Sequence, residues 1–582
     1  MLKLARFLKP HWAAAVLAPL LMLLEVFMDL LQPALMASIV DNGIATRDLA
    51  HIQRTGLLML GAALVGLIGG VGCTVFSSIA SQKFGADLRG ELFRKVQTFS
   101  FRNLDELKTG SLITRLTGDI TQLQMLVQML LRIFVRSPFL AIGSIIMAVI
   151  ISPKLAVILA IVVPLLFVVM FLLIRLTLPL FASMQQRLDK VNSVLQENFA
   201  GIRVSKAFVR GDFENKRFGE ANDAYTATSV RAMRLVALNM PILTFILNAS
   251  IAAVLWFGGL DAQSGLMPTG ELVAFINYVT QVMFSLSMVG MMLVRFSTAK
   301  VSADRINEVL AAQSEIDVKP DASTNAYRQG EIAFEGVSFA YAGQAAAEPA
   351  LKEISFVAKP GQTVAVIGAT GSGKSTLVQL IPRLYDATEG RVLLDGKDVR
   401  DIDLSHLRGQ IGIVLQESLL FSGTIRDNIK FGKPAASDEE MREAAEAAQA
   451  HDFIAALPDG YDTQLGQRGV NLSGGQKQRL SIARALLLQP SVLILDDSTS
   501  AIDMGTESRI QSALKRLMRG RTSLLIAQRI SSVRDADHIL VLDEGRLVAQ
   551  GTHAELLASC ELYQDIYRSQ AGEEAEAYDR IG

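Results

Sequence analysis

Six long apolar runs constrain this chain more than any other feature. They lie approximately at Ala13–Ile39, Leu57–Ile79, Ile133–Ile151, Leu155–Ile174, Asn239–Leu260 and Leu272–Val294. An α-helix needs about 20 apolar residues to cross a ~30 Å hydrocarbon core, and each run is of that order. Any one of them could be a buried helix of a soluble protein. Six in succession predict a membrane all-α bundle over residues 1–310, with the remainder of the 582 residues reading as a soluble α/β domain. Half of the residues are hydrophobic and the mean hydropathy is +0.34, which a soluble chain of this length rarely reaches. A chain this long also exceeds what one hydrophobic core organises.

The segments between the runs alternate in character. Met1–His11, with Lys3, Arg6 and Lys9, is short, amphipathic and basic, and reads as an interfacial helix. No short apolar run with a small-residue cleavage site follows it, so no cleaved signal peptide is expected. Asp41–Arg54, Ser152–Lys154 and Asp261–Gly270 are short connections. Gln82–Leu130 and Pro179–Leu238 are long, rich in Arg and Lys, and helical in spacing. The positive-inside rule puts these basic segments and both chain ends in the cytoplasm of a multi-pass protein. The long segments are expected to carry the membrane helices into the cytoplasm, with turns near Phe99–Thr109 and Gly211–Lys216 suited to docking on another domain.

Glu25 and Asp29 sit inside the first run at i, i+4 spacing, so they share a helix face. Carboxylates at membrane depth are costly, so they should face the bundle interior or a cavity. Two readings are open: a site for cationic or polar groups of a substrate, or a hydrogen-bonded network with other spans. Asn248, Asn277, Tyr278 and Gln281 read as interhelical packing groups. Residues 311–330, with Pro320, Asp321, Ser323 and Asn325, read as a linker. The net charge of −1 gives no reason to expect nucleic acid, and Cys73 and Cys560 form no metal or disulfide pattern.

Chemistry is concentrated in residues 331–570, ahead of a tail at 571–582. Gly368-Ala369-Thr370-Gly371-Ser372-Gly373-Lys374-Ser375-Thr376 matches the P-loop. The β-branched run Thr363–Ile367 before it reads as a buried strand and Leu377–Leu384 after it as a helix, which is the context the motif requires. Glycines let backbone N–H groups turn toward phosphate oxygens, and a helix N-terminus adds partial positive charge. Lys374 would reach the β- and γ-phosphates of ATP, and the Ser375 hydroxyl would sit on Mg²⁺. Further sequences follow at ordered intervals. Tyr341 precedes the P-loop in a strand–turn region. Gln416 follows the buried run Ile411–Leu415. Asn471-Leu472-Ser473-Gly474-Gly475-Gln476 opens the helix Lys477–Leu488. The strand Val492–Leu495 ends in Asp496 and Asp497, with Ser500-Ala501-Ile502-Asp503 just beyond, and Leu524–Ala527 ends at Gln528.

The Leu-Ser-Gly-Gly-Gln signature between a P-loop and an aspartate-terminated strand resembles the ATP-binding cassette (ABC) transporter family. Six spans fused ahead of one cassette resemble its exporter-type half-transporters, and the resemblance covers essentially the whole chain. It implies a head-to-tail cassette dimer with two ATP molecules between the cassettes. Tyr341 would then stack on adenine, and Ser375, Gln416 and Asp496 would serve Mg²⁺ directly or through water. Ser473, Gly474, Gly475 and Gln476 would complete the ATP site of the partner. Gln416 also resembles the family's link between nucleotide and membrane domain.

Three positions depart from the family pattern. The residue after the strand-terminal aspartate is Asp497 where the family has glutamate, which retracts the carboxylate that would orient the attacking water. Gln528 stands where the family has histidine, and an amide can neither carry an imidazolium charge nor shuttle a proton. Gln467 stands where exporters usually have glutamate, in a segment thought to contact the membrane domain. The chain thus resembles the degenerate subunit of a heterodimeric multidrug exporter. It would bind ATP at a hydrolysis-impaired site and lend an intact signature to a partner that carries the glutamate. The expected cargo is a small amphipathic compound, drug-like or lipid-like. A slow homodimer and a mainly regulatory ATP-binding subunit stay open, while import is disfavoured by the fused domains and long cytoplasmic segments.

Overall fold

The computed structural model describes the chain apart from residues 317–321, 325–328, 342–348, 499–501, 503 and 580–582. The chain divides into two compact units. One comprises Met1–Gln97 and Gly110–Ala312, the other Thr98–Thr109 and Gln313–Gly582. Each has its own core.

In the first unit the six runs become helices α1 (Trp12–Ser38), α2 (Leu49–Gln97), α5 (Ile120–Ile151), α6 (Pro153–Ala200), α9 (Asn239–Gln263) and α10 (Thr269–Ala311). Among the described residues, six helices are long and apolar enough to cross a membrane, and they coincide with the six runs. Shorter helices lie between them: α3 (Phe101–Leu107), α4 (Thr109–Thr114), α7 (Ile202–Ala207) and α8 (Gly211–Ala237). Local chemistry sets the boundaries. The Ser152 hydroxyl accepts the Leu155 N–H and Pro153 occupies the first helical position of α6, where a missing N–H costs nothing. Gly201 ends α6, and a second break lies at Phe208–Arg210, where Val209 takes a positive φ. That break is slightly before the expected turn, so Gly211–Lys216 forms the first turns of α8. Leu2–His11 forms a 3₁₀ helix. Small residues let α1 and α2 approach closely: a Cβ on Gly69 would stand 2.8 Å from the Leu21 carbonyl oxygen.

The second unit holds strands β1 (Ile332–Phe339), β2 (Leu351–Ala358), β3 (Thr363–Gly368), β4 (Glu389–Leu394), β5 (Lys397–Asp398), β6 (Ile411–Val414), β7 (Gly423–Thr424), β8 (Gln464–Leu465), β9 (Val492–Asp496), β10 (Thr522–Ile526), β11 (His538–Asp543) and β12 (Arg546–Gly551). The main sheet has the order β12-β11-β3-β10-β9-β6, parallel except for β12. Its central strands are buried along their length, which explains their unbroken Val, Ile and Leu. An antiparallel sheet, β2-β1-β4-β5, packs on one side. Of the expected linker, Pro320, Asp321 and Asn325 lie outside the described residues, while Ser323 pairs with Ile402 in an isolated bridge. The last helix runs Glu561–Asp579.

The segment Thr98–Thr109 is held in the second unit by named contacts. The Tyr385 hydroxyl donates to Asp105 Oδ2 at 2.8 Å, Phe101 packs 6.0 Å from the Tyr385 ring, and Asn103 Nδ2 donates to the Gln313 carbonyl. Ser100 and Asn103 cap α3 reciprocally, so this short helix is ordered by its own ends.

Candidate nucleotide site

Parallel pairing brings the motif residues to one edge of the main sheet. β10 lies between β3 and β9, and the register places Ile526 opposite both Val366 and Asp496. The P-loop after β3, the aspartates ending β9 and Gln528 just past β10 therefore stand side by side at the carboxyl ends of the strands, where open α/β sheets bind ligands.

The P-loop backbone demands its glycines. Gly368, Gly371 and Gly373 have φ of +155°, +87° and +97°. A Cβ on Gly368 would fall 2.1 Å from the Leu542 carbonyl oxygen, and one on Gly373 2.7 Å from that of Ala350. Thr370 and Gly371 are exposed at the loop's outer curve. Helix α11 (Lys374–Leu380) begins earlier than expected, at the lysine itself, and stops before Pro382, which has no N–H to continue the ladder. Lys374 Nζ donates to the carbonyls of Gly368 (2.9 Å) and Ala369 (2.8 Å), folded over the loop it serves. Burial lowers its pKa, while Asp496 and Asp497 act the other way. Ser372 Oγ is buried and, among the described residues, has no hydrogen-bond partner.

Ser375 Oγ donates to Asp496 Oδ1 at 3.1 Å. Asp496 is buried, which raises its pKa, and the Ser375 bond and Lys374 counter that. A hydroxyl beside a carboxylate at the end of a phosphate loop is the hard-oxygen donor set that suits Mg²⁺. Gln416 is exposed two residues beyond β6, and among the described residues no hydrogen bond ties it to either group. Thr376 is buried, and its Oγ1 lies 2.9 Å from the Tyr341 hydroxyl. The Tyr341 ring meets Phe339 and Tyr385 edge-on, with centroids 4.9 and 5.4 Å away.

Asp497 holds a left-handed backbone (φ +46°), which aspartate tolerates better than most residues. Its N–H donates to the Ile526 carbonyl, and its Oδ2 accepts from Gln528 Nε2 at 2.9 Å. Two of the three departures seen in the sequence thus touch each other. Burial raises the Asp497 pKa and the Gln528 donor lowers it. Ser473 caps the helix Gly474–Leu487, accepting the Gln476 N–H and donating its own N–H to Gln476 Oε1. The cap leaves the amides of exposed Gly474 and half-buried Gly475 in the helix's first turn. Of Ser500–Asp503 only Ile502 lies within the described residues, and it is buried.

The sequence model of the ABC transporter transmembrane region matches residues 16–286, and that of the ABC transporter matches residues 351–500. The chain belongs to the ABC transporter family. It is 44% identical over 574 residues to YfiB of Bacillus subtilis, an uncharacterized ABC transporter ATP-binding protein, covering 99% of each chain. It is 34% identical over 588 residues to the ATP-dependent lipid A-core flippase of Syntrophus aciditrophicus, covering 100% of this chain and 95% of that one. The structure of a bacterial Atm1-family ABC exporter with ATP bound superposes with a TM-score of 0.80 at 28% identity, covering 97% of this chain and 98% of that one. Six spans and one nucleotide-binding domain in a single chain make this an ABC exporter half-transporter.

The acidic pair of the first span is not open. Arg136 on α5 bridges it, with Nη1 on Glu25 Oε1 and Nη2 on Asp29 Oδ2 at 2.8 Å. Gln281 Nε2 donates to the Asp29 carbonyl while its Oε1 accepts from Ser144 Oγ, and the buried Tyr278 hydroxyl donates to the Leu30 carbonyl at 2.8 Å. Asn277 bonds within its own helix, to the Val273 carbonyl. Arg136 was visible in the sequence as a lone charge inside an apolar run; its partner was not, because contacts between helices leave no local pattern.

Proposed function

We propose that the chain is one subunit of a heterodimeric exporter that uses ATP to move amphipathic, lipid-like compounds out of the cytoplasm. In this reading the nucleotide-binding domain and both chain ends are cytoplasmic, in a bacterial inner or plasma membrane. ATP lies along the P-loop with its adenine on Tyr341. Backbone amides from Gly371 to Thr376 and the Lys374 ammonium receive the phosphates, and Thr376 steadies Tyr341 through its hydroxyl. Ser375, Asp496 and, through water, Gln416 hold Mg²⁺, which neutralises and positions phosphate charge. Ser473, Gly474, Gly475 and Gln476 present the capped helix end to ATP on the partner's P-loop. Closing of the two cassettes is passed to the spans through the segments near 98–109 and 211–216.

The observation that carries the heterodimer reading is the Gln528–Asp497 hydrogen bond. A shortened carboxylate engaged by an amide is poorly placed to accept a proton from water, and the amide cannot relay one. ATP on this P-loop would then be held rather than turned over, while the intact signature serves a partner bearing glutamate. The lipid flippase among its relatives supports lipid-like cargo. The test is to purify the tagged chain from its host in lipid and identify what accompanies it. The expected result is a second half-transporter with glutamate after its strand-terminal aspartate, and ATPase activity in the pair that the chain alone lacks. A self-associated chain that hydrolyses ATP at the rate of the pair would refute the heterodimer.

A further inference from the structure

We infer that the membrane domain takes cargo with an acidic head and an apolar tail, in a chamber between α6, the end of α8, α9 and α10 whose head-group anchor is Arg295. The inference rests on the export reading above and narrows its substrate class. The chamber has a volume of about 730 Å³. Its walls are apolar and include three methionines, Met170, Met240 and Met283, whose flexible thioethers conform to varied tails. Among the described residues lining it, Arg295 is the one charged residue and none is acidic.

Charge complementarity selects the head. Sequence alone left Glu25 and Asp29 open as a site for cationic groups or as a network with other spans, and Arg136 pairs with both. Arg295 has no such compensation: among the described residues no carboxylate pairs with it, and it is exposed. It also lines a smaller neighbouring cavity together with Arg132, so positive charge continues beyond the chamber's end. Asn239, at the start of α9, lines the chamber too. An arginine at a carboxylate or phosphate makes charge-assisted, often bidentate bonds, and an ammonium head would be repelled.

The placement suits an amphiphile entering from the inner leaflet. α9 and α10 are joined by a short turn and run antiparallel, so Asn239 at the start of α9 and Arg295 late in α10 lie toward the same end of the bundle. That is the end the positive-inside reading puts in the cytoplasm. Met283 lies twelve residues before Arg295 on α10, roughly 18 Å along the axis. This is comparable with one leaflet's share of a ~30 Å hydrocarbon core.

The full chain in lipid nanodiscs tests this by photo-crosslinking with three diazirine-bearing probes of one chain length, ending in a carboxylate, an alcohol or a trimethylammonium. The carboxylate probe should label α6, the end of α8, α9 and α10, with the ammonium probe weaker by about tenfold or more. Arg295→Gln should remove the carboxylate's advantage and leave alcohol labelling unchanged, Arg295→Lys should keep most of it, and Arg295→Glu should invert it. If Arg295→Glu does not fold, the Gln and Lys variants decide. Equal labelling by the three heads, carboxylate labelling unaffected by Arg295→Gln, or labelling elsewhere in the chain would overturn the proposal. Binding needs no ATP turnover, so head-group selection without ATP-dependent uptake into inside-out vesicles would count against the export reading alone.

Discussion

Replacing Asp497 with glutamate and Gln528 with histidine together should raise ATP turnover of the isolated chain by about 100-fold. Glutamate extends the carboxylate by one C–C bond, roughly 1.5 Å. A ~1 Å misplacement of a reacting group costs on the order of 100-fold, equivalent to about 2.7 kcal/mol of barrier. The single change Asp497→Glu should recover less, because the Gln528 amide that now sits 2.9 Å from Asp497 Oδ2 would still engage the carboxylate. A hydrogen bond to a charged group contributes about 1.5–3 kcal/mol, comparable with the gain sought. The two changes should therefore be coupled, the double exceeding the combined effect of the singles. Glutamate also fits the left-handed backbone at residue 497 less well than aspartate, so a small loss of thermal stability should accompany the gain. The assay is phosphate release at saturating Mg-ATP from the purified chain in nanodiscs, with nucleotide affinity measured alongside as a control for the P-loop. The reasoning is refuted if the unaltered chain already turns over at an ordinary enzymatic ~1–10 s⁻¹. It is equally refuted if the double change leaves the rate where it was.

Further outcomes follow from named contacts. In the proposed role the Asp497 carboxyl would act only when ionised, so residual activity should fall as pH drops through its raised pKa. Gln528→Ala removes the donor that lowers that pKa, so the acid limb of the rate–pH profile should move to higher pH; no movement, or movement to lower pH, would contradict the assignment. Arg136→Met leaves Glu25 and Asp29 without their guanidinium. Breaking a fully buried pair costs about 3–5 kcal/mol, and Arg136 is 39% exposed, so thermal unfolding in detergent should show a loss nearer 1–3 kcal/mol. Arg136→Lys should recover only part of this, because an ammonium does not present a planar fork to two carboxylates. Tyr385→Phe removes the bond to Asp105, worth about 1 kcal/mol, and amide exchange in residues 98–109 should speed up about fivefold. Unchanged exchange there would show that the Phe101 contact suffices.

Much of the architecture was legible because its signals are local. The six apolar runs became six membrane-length helices, since hydrophobic length is set by the bilayer and needs no knowledge of neighbours. The strands bounding the P-loop and the aspartates appeared within a residue or two of where β-branched runs placed them. Helix ends were less legible. α11 starts at Lys374 because the positive-φ glycines before it deliver the chain directly into a helix, and the second cytoplasmic turn lies at Val209 rather than a few residues later.

What sequence determined by itself was identity of parts: six spans, a nucleotide domain with P-loop and signature, and residues such as Asp497 and Gln528 that depart from the family pattern. Tertiary structure decided which parts meet. β9 and β10 lie side by side in register, and only that pairing shows Asp497 and Gln528 to be hydrogen-bonded partners rather than separate departures. The packing of α5 against α1 closes Arg136 over Glu25 and Asp29, and so turns a candidate cation site into a neutralised network. The physical reason is common to both. Periodicity and motif spacing act along the chain, whereas electrostatic compensation acts between groups brought within a few ångströms by packing. Residues 31 apart and 107 to 111 apart carry no record of that meeting in the sequence between them.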